Sequence, residues 1–198
     1  MKIHQAGLCV LALSAVGFGA SAQQGSIGHL DGYYLPSADY DASPGPRTDG
    51  DGFGVKGRFN IAEQWFLTGE YQAVDYRAGR DLDQLRFGVG LASPLQRNVD
   101  FVGWLEYVNF DGRRGIADED GLGIHGGLEG RLSPEFSIHG SVGYVMLDDL
   151  DGPEFLFGAR FRATSQISVF ADYRMTRLSH RGVDVDVDDL RIGVGYHF

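Results

Sequence analysis

The sequence predicts an all-β fold, a transmembrane antiparallel up-and-down β-barrel of ten strands, and three observations predict it. Apolar and polar residues alternate at period two in segments of about nine to twelve residues along nearly all of the 198-residue chain. The connections between these segments alternate between short links such as "AEQ", "SPE" and "TSQ" and longer ones rich in Asp and Gly. Aromatic residues gather towards the two ends of the segments' apolar face, as interfacial girdles do, and not at mid-strand.

The elements follow in order. Met1–Ala22 carries Lys2, an apolar stretch and a small-residue "ASA" end, the layout of a cleaved secretory leader, so the barrel domain is assigned to residues 23–198. Cys9, the single cysteine, lies inside the leader, which leaves the mature chain without a thiol. The first strand, Ile27–Leu35, has the weakest pattern, and the count falls to eight if the first hairpin does not form. Next, "DGFGVKGRFNI" sets Phe53, Val55, Phe59 and Ile61 against Lys56 and Arg58, and "WFLTGEYQA" sets Trp65, Leu67 and Tyr71 against Glu70. "QLRFGVGL" opposes Leu85, Phe87 and Val89 to Arg86. The fifth segment, 100–110, is apolar on both faces, with Glu106 marking Trp104 as inner. Then come "LGIHGGLEGRL", "FSIHGSVGYVM", "FLFGARFRA", "ISVFADYRM" and the terminal "LRIGVGYHF". Acidic hairpin starts recur at Asp51, Asp83, Asp120, Asp151 and Asp188, an internal repeat of one hairpin each. An even count of strands places both termini at the periplasmic side.

Charge decides which face is outside. Lys56, Arg58, Arg86, Arg131, Arg160, Arg162, Arg174 and Arg191 lie opposite the apolar set, and in the inverted register they would meet lipid, at roughly 2–4 kcal/mol each near the midplane. They are therefore assigned to the lumen with Glu70, Glu106, Glu129 and Asp172, and a ten-stranded lumen is expected to be largely closed by their ion pairs.

The last strand carries Leu190, Ile192, Val194, Tyr196 and the terminal Phe198 on one face. This pattern resembles the carboxy-terminal assembly signal of bacterial outer-membrane proteins. More broadly, with "DGFGVKG" and "LRFGVGL", the chain resembles the small outer-membrane β-barrel family, OmpA-like or porin-like, in a xanthomonad-type branch. The resemblance implies outer-membrane lipid and lipopolysaccharide around the barrel, periplasmic chaperones and the barrel assembly machinery as partners, and no catalytic residue.

With a net charge of −10 and an acidic exterior, nucleic acid is excluded as a partner. Solvation is the plain role of the acidic connections. The sharper reading gathers Ca²⁺ or Mg²⁺ loosely at Asp118, Glu119, Asp120, Asp148, Asp149, Asp151, Asp184, Asp186 and Asp188, although no EF-hand spacing is present. Ser179 and His180 beside Asp184 and Asp186 raise a rim hydrolase, but neighbours on a strand diverge. His125 and His139 face inward on adjacent strands where they can pair, and His29 with His197 can meet at the closing seam. The function expected is a non-enzymatic barrel with a structural or surface-interaction role and no tightly held cofactor. A narrow small-solute channel is the alternative, ahead of a lipid hydrolase or a soluble secreted ligand-binding barrel.

Overall fold

The computed structural model describes residues 27–198 apart from 44, 46, 114, 115 and 117. The leader and Cys9 lie outside the described residues. Ten strands follow one another: β1 (Gly28–Ser43), β2 (Thr48–Asn60), β3 (Trp65–Tyr76), β4 (Arg80–Gln96), β5 (Val99–Arg113), β6 (Glu119–Arg131), β7 (Phe136–Leu147), β8 (Asp151–Arg162), β9 (Ile167–His180) and β10 (Val183–His197). Each pairs antiparallel with its chain neighbours, and β1 pairs with β10 to close the barrel, so the first hairpin is formed and the count is ten. Closure removes every unpaired sheet edge, the condition for burying backbone in hydrocarbon.

One end holds the chain's last residue and four short turns. In two of these, a hydroxyl replaces the missing strand partner: Ser133 Oγ accepts from the amides of Glu135 and Phe136 (3.2 and 3.0 Å), and Thr164 Oγ1 from those of Gln166 and Ile167 (3.2 and 2.9 Å). The other end, called the mouth here, is formed by five hairpins. The sequence suggests long acidic loops there, but the structure carries much of them as paired strand. β9 and β10, for example, are joined by Arg181 and Gly182 alone, both at positive φ (47° and 87°), as a tight turn matched to strand twist requires. β1 likewise runs on past Leu35 to Ser43, through an irregularity at Pro36 that breaks the register with both neighbours.

The reason is visible in "DVDVDD". It alternates as strictly as the membrane segment does, but in opposite phase. Along β10 the outward residues are Asp184, Asp186 and Asp188, then Ile192, Val194 and Tyr196; the inward ones are Val185 and Val187, then Asp189, Arg191 and His197. β3, β4 and β5 make the same exchange. Val74, Leu82 and Phe110 are buried inside the mouth with Asp75, Asp81 and Asp111 outside, whereas Glu70, Arg86 and Glu106 lie inside the lower storey with Leu67, Phe87 and Leu105 outside. The lower barrel is thus apolar outside and charged inside, and the mouth is acidic outside and apolar inside. From Leu190 to Phe198, nine residues at roughly 3.3 Å each and a tilt near 40° rise about 23 Å, close to the thickness of an outer-membrane apolar band. Above it, Leu35, Tyr40, Val108, Val145, Leu178 and Val187 belong to one buried cluster, a water-soluble protein's core held inside a cylinder.

The boundary between the storeys is marked by a collar that accounts for the hairpin repeat. Tyr34, Tyr71, Tyr107, Tyr144 and Tyr173 point outward from the five odd-numbered strands, and each faces a residue two places after Asp51, Asp83, Asp120, Asp151 or Asp188 on the following strand. Tyr34 and Tyr107 donate to Asp51 and Asp120 (3.2 and 3.1 Å), Tyr144 donates to Asp151, and Asp83 lies beside Tyr71. At the fifth position Asp188 is taken instead by Arg177 (2.7 Å). An amphipathic phenol ending on a carboxylate suits a layer where hydrocarbon gives way to water.

Candidate functional site

The lower lumen is filled by side chains from strands on opposite walls, arranged in three knots. In the first, Glu70 on β3 accepts from Arg174 Nη2 (2.6 Å), Arg191 Nη1 (2.8 Å) and the Tyr33 hydroxyl (2.5 Å). Arg191 Nε donates to Asp172 Oδ1, and Lys56 Nζ reaches Asp172 Oδ2 from β2, both at 2.5 Å. Gln72 completes the knot by donating to Asp189 (2.9 Å).

The second knot is centred on Arg86. Its Nη1 donates to Glu106 and Glu154 (2.9 Å each) and its Nη2 to the other Glu154 oxygen (2.7 Å), while Thr176 also donates to Glu154 (2.8 Å). Trp104 Nε1 reaches Glu106 at 3.3 Å and stacks its ring on His125 with centroids 4.7 Å apart. Gly143 leaves the space that the His125 ring occupies, since a β-carbon there would collide with it.

Nearest the termini, Arg160 forms a fork on Asp31 (2.9 and 2.5 Å) and donates to Ser168 (2.8 Å), which meets His197 Nε2 at 2.9 Å. Arg58 pairs with Glu129 (2.7 Å) and lies 3.9 Å above the Phe66 ring. Forked, multiply bonded guanidinium contacts of this kind are stronger than neutral hydrogen bonds and offset the cost of holding charge away from water.

The sequence-assigned lumen charges Lys56, Arg58, Glu70, Arg86, Glu106, Glu129, Arg160, Asp172, Arg174 and Arg191 are therefore brought together. Arg131 and Arg162 point inward by register but stand exposed at the terminal rim, where Arg131 pairs with Asp100 at 3.7 Å; they lie too near the strand ends to be enclosed. Asp31, Glu154 and Asp189, which the sequence does not mark as lumen charges, are buried in the lattice. Asp31 lies on the weakly patterned first strand, and Glu154 and Asp189 adjoin acidic runs read as loop. For Glu154 and Asp189 the signal is inward parity with Arg160 and Arg191 on the same strands, whereas β1 carries no arginine from which Asp31 could be placed.

His125 and His139 do not pair. His125 lies opposite Gly143 and His139 opposite Glu129, because the β6–β7 register offsets them. His29 and His197 do meet at the seam, directly paired with ring centroids 5.5 Å apart. Glu106, His125 and Glu154 have ligand atoms all within 4.8 Å of one another, the geometry of a metal centre, but Arg86 bonds both carboxylates and supplies the cation itself.

The acidic residues of the mouth are distributed among several roles. Asp118 accepts from the Gly112 amide (2.9 Å), Asp120 and Asp151 belong to the collar, and Arg177 engages Asp186 and Asp188 (3.6 and 2.7 Å). Asp148, Asp149 and Asp184 are exposed, whereas Glu119 turns inward and is buried. Ser179 and His180 project to opposite faces of β9, with His180 lining a cavity in the mouth. At the other end, Leu190, Ile192, Val194, Tyr196 and Phe198 share the outer face of β10, and Phe198 packs on Phe59 across the seam at 5.6 Å.

No family model matches the chain, and no curated protein matches it in sequence. Solved structures do resemble it. Neisserial surface protein A is 14% identical with a TM-score of 0.51, the match covering 87% of this chain and 98% of that one. The outer-membrane protease OmpT from Escherichia coli is 7% identical with a TM-score of 0.58, over 86% of this chain and 97% of its own. At such identities the likeness concerns shape alone, and it agrees with the strand order, the apolar belt and the charged interior: the chain has the fold of a transmembrane β-barrel of the outer-membrane kind.

Proposed function

We propose that the protein is an integral outer-membrane barrel with a closed lumen and a structural or surface-interaction role, its mouth facing the cell exterior and its termini the periplasm. One observation carries this reading. Ion pairs span the lumen from wall to wall, β1 to β8, β2 to β9, β3 to β10 and β4 to β8, through side chains at most 18% exposed. A solute pathway would have to break several multiply bonded guanidinium–carboxylate contacts at once.

The "DGFGVKG" and "LRFGVGL" hairpins support the xanthomonad-type branch within this reading. Lipopolysaccharide, periplasmic chaperones and the assembly machinery are its natural partners, with Ca²⁺ or Mg²⁺ loosely shared between the exposed acids of the mouth and lipid phosphates. The role is read as non-enzymatic, since the activity named for OmpT does not transfer at 7% identity. Planar-bilayer recording tests the closed lumen: no stable unitary conductance is expected from purified protein, and large, steady single-channel steps would overturn the proposal in favour of a channel.

A further inference from the structure

Inside the mouth, above the ionic lattice, lies a cavity of about 410 Å³ to which every hairpin of that end contributes. Its walls are Tyr40, Leu82, Phe110, Leu178, Val185 and Val187, with exposed His180 and Arg181 on the rim formed by the β9–β10 turn. The size and lining are those of a small-ligand pocket, apolar with few polar groups. One of those groups is unusual. Glu119 lines the cavity at 9% exposure, lies directly opposite Phe110 in the β5–β6 register, and among the described residues accepts a side-chain bond from the Asp149 amide alone, at 3.0 Å.

Among the described residues no Lys, Arg or His forms an ion pair with Glu119, whereas Glu70, Glu106, Glu154 and Asp172 in the lattice below each hold an arginine or lysine. A buried carboxylate in an apolar enclosure is stabilised by a cation, and aromatic faces beside it add to the attraction. The acidic outer wall of the mouth raises the local concentration of such cations.

We infer that the mouth cavity is a binding site for a small cationic amphiphile: an apolar body the size of one aromatic ring with a short alkyl chain, carrying a protonated amine that pairs with Glu119. The inference rests on the proposed function only in that the mouth faces water; the bilayer recording tests the lumen and a binding measurement tests the mouth, so the two fail separately.

The test uses the full mature barrel in zwitterionic nanodiscs, with empty nanodiscs as the reference for partition into lipid. Three probes of one shape are titrated by calorimetry: 4-phenylbutylamine, 4-phenylbutanol and 4-phenylbutyrate. The amine is expected to bind saturably and at least about tenfold more tightly than the alcohol. Glu119→Gln should erase that gap and leave the alcohol unchanged, and Leu178→Trp, which fills the cavity, should weaken amine and alcohol together. Folding of each variant is checked by heat-modifiable gel mobility. The inference is overturned if the amine binds no better than the alcohol, if the butyrate is preferred, if Glu119→Gln keeps the gap, or if nothing saturates above empty discs. Should Glu119→Gln fail to fold, the ranking of the three probes on the unmodified barrel decides.

Discussion

Arg191 shows how a single residue serves this barrel. It is fully buried, donates to Asp172 and Glu70 from β10, and so ties the closing strand to its neighbour and to the far wall. Replacing it by Met removes the cation but leaves both carboxylates enclosed, which costs more than the pair itself contributes. Arg191→Met is therefore expected to lower stability by about 3 kcal/mol in urea titrations of the vesicle-inserted protein. Tyr144→Phe, which deletes one collar hydroxyl at an exposed position, should lower it by about 1 kcal/mol or less in the same titration. Space is as specific as charge in the lumen. A methyl group at Gly195 would collide with the Asp31 carboxylate and the Arg160 guanidinium, so Gly195→Ala should reduce the folded, heat-modifiable fraction.

A strand here is two strands in one, and β10 makes the point testable. Its outer face is acidic at Asp184 and apolar at Ile192, eight residues along the same face. Arginine at position 194, two residues further along that face and at the middle of the apolar band, meets hydrocarbon and should cost roughly 2–4 kcal/mol, while arginine at position 184 meets water and should cost no more than about 0.5 kcal/mol. Equal costs in equilibrium unfolding would mean that the phase exchange does not mark a membrane boundary. The end of the same strand, with Phe198 after it, carries the proposed assembly signal. Deleting Phe198 takes away its ring contacts with Phe59 and Tyr196 and is expected to reduce assembled barrel in outer-membrane fractions several-fold, with export across the inner membrane unchanged.

For the molecule as a whole, stability and closure have different sources in the two storeys. Hydrocarbon surrounds the lower one, so its belt of exposed Leu, Ile, Val and Phe needs no protein partner, and its interior is free to be ionic. Water surrounds the upper one, so burying Leu35, Val108, Val145 and Leu178 inside stabilises it as in a soluble domain, by about 1.5–3 kcal/mol for each large side chain. The collar of tyrosines and aspartates lies where one rule replaces the other.

The ten-stranded barrel and the direction in which the arginines face were legible in the sequence because both depend on period-two parity, a property of neighbouring residues. The same parity in "DVDVDD" was also legible, but acidic composition there reads as loop, and only pairing with β9 makes it a strand. Which charges meet could not be read at all. Lys56 finds Asp172 and Arg86 finds Glu154 across the lumen, and those contacts depend on register and curvature accumulated around the closed sheet. Local alternation thus determined the faces of this protein; closure of the cylinder decided the partners, because side chains far apart in sequence become neighbours only when the last strand meets the first.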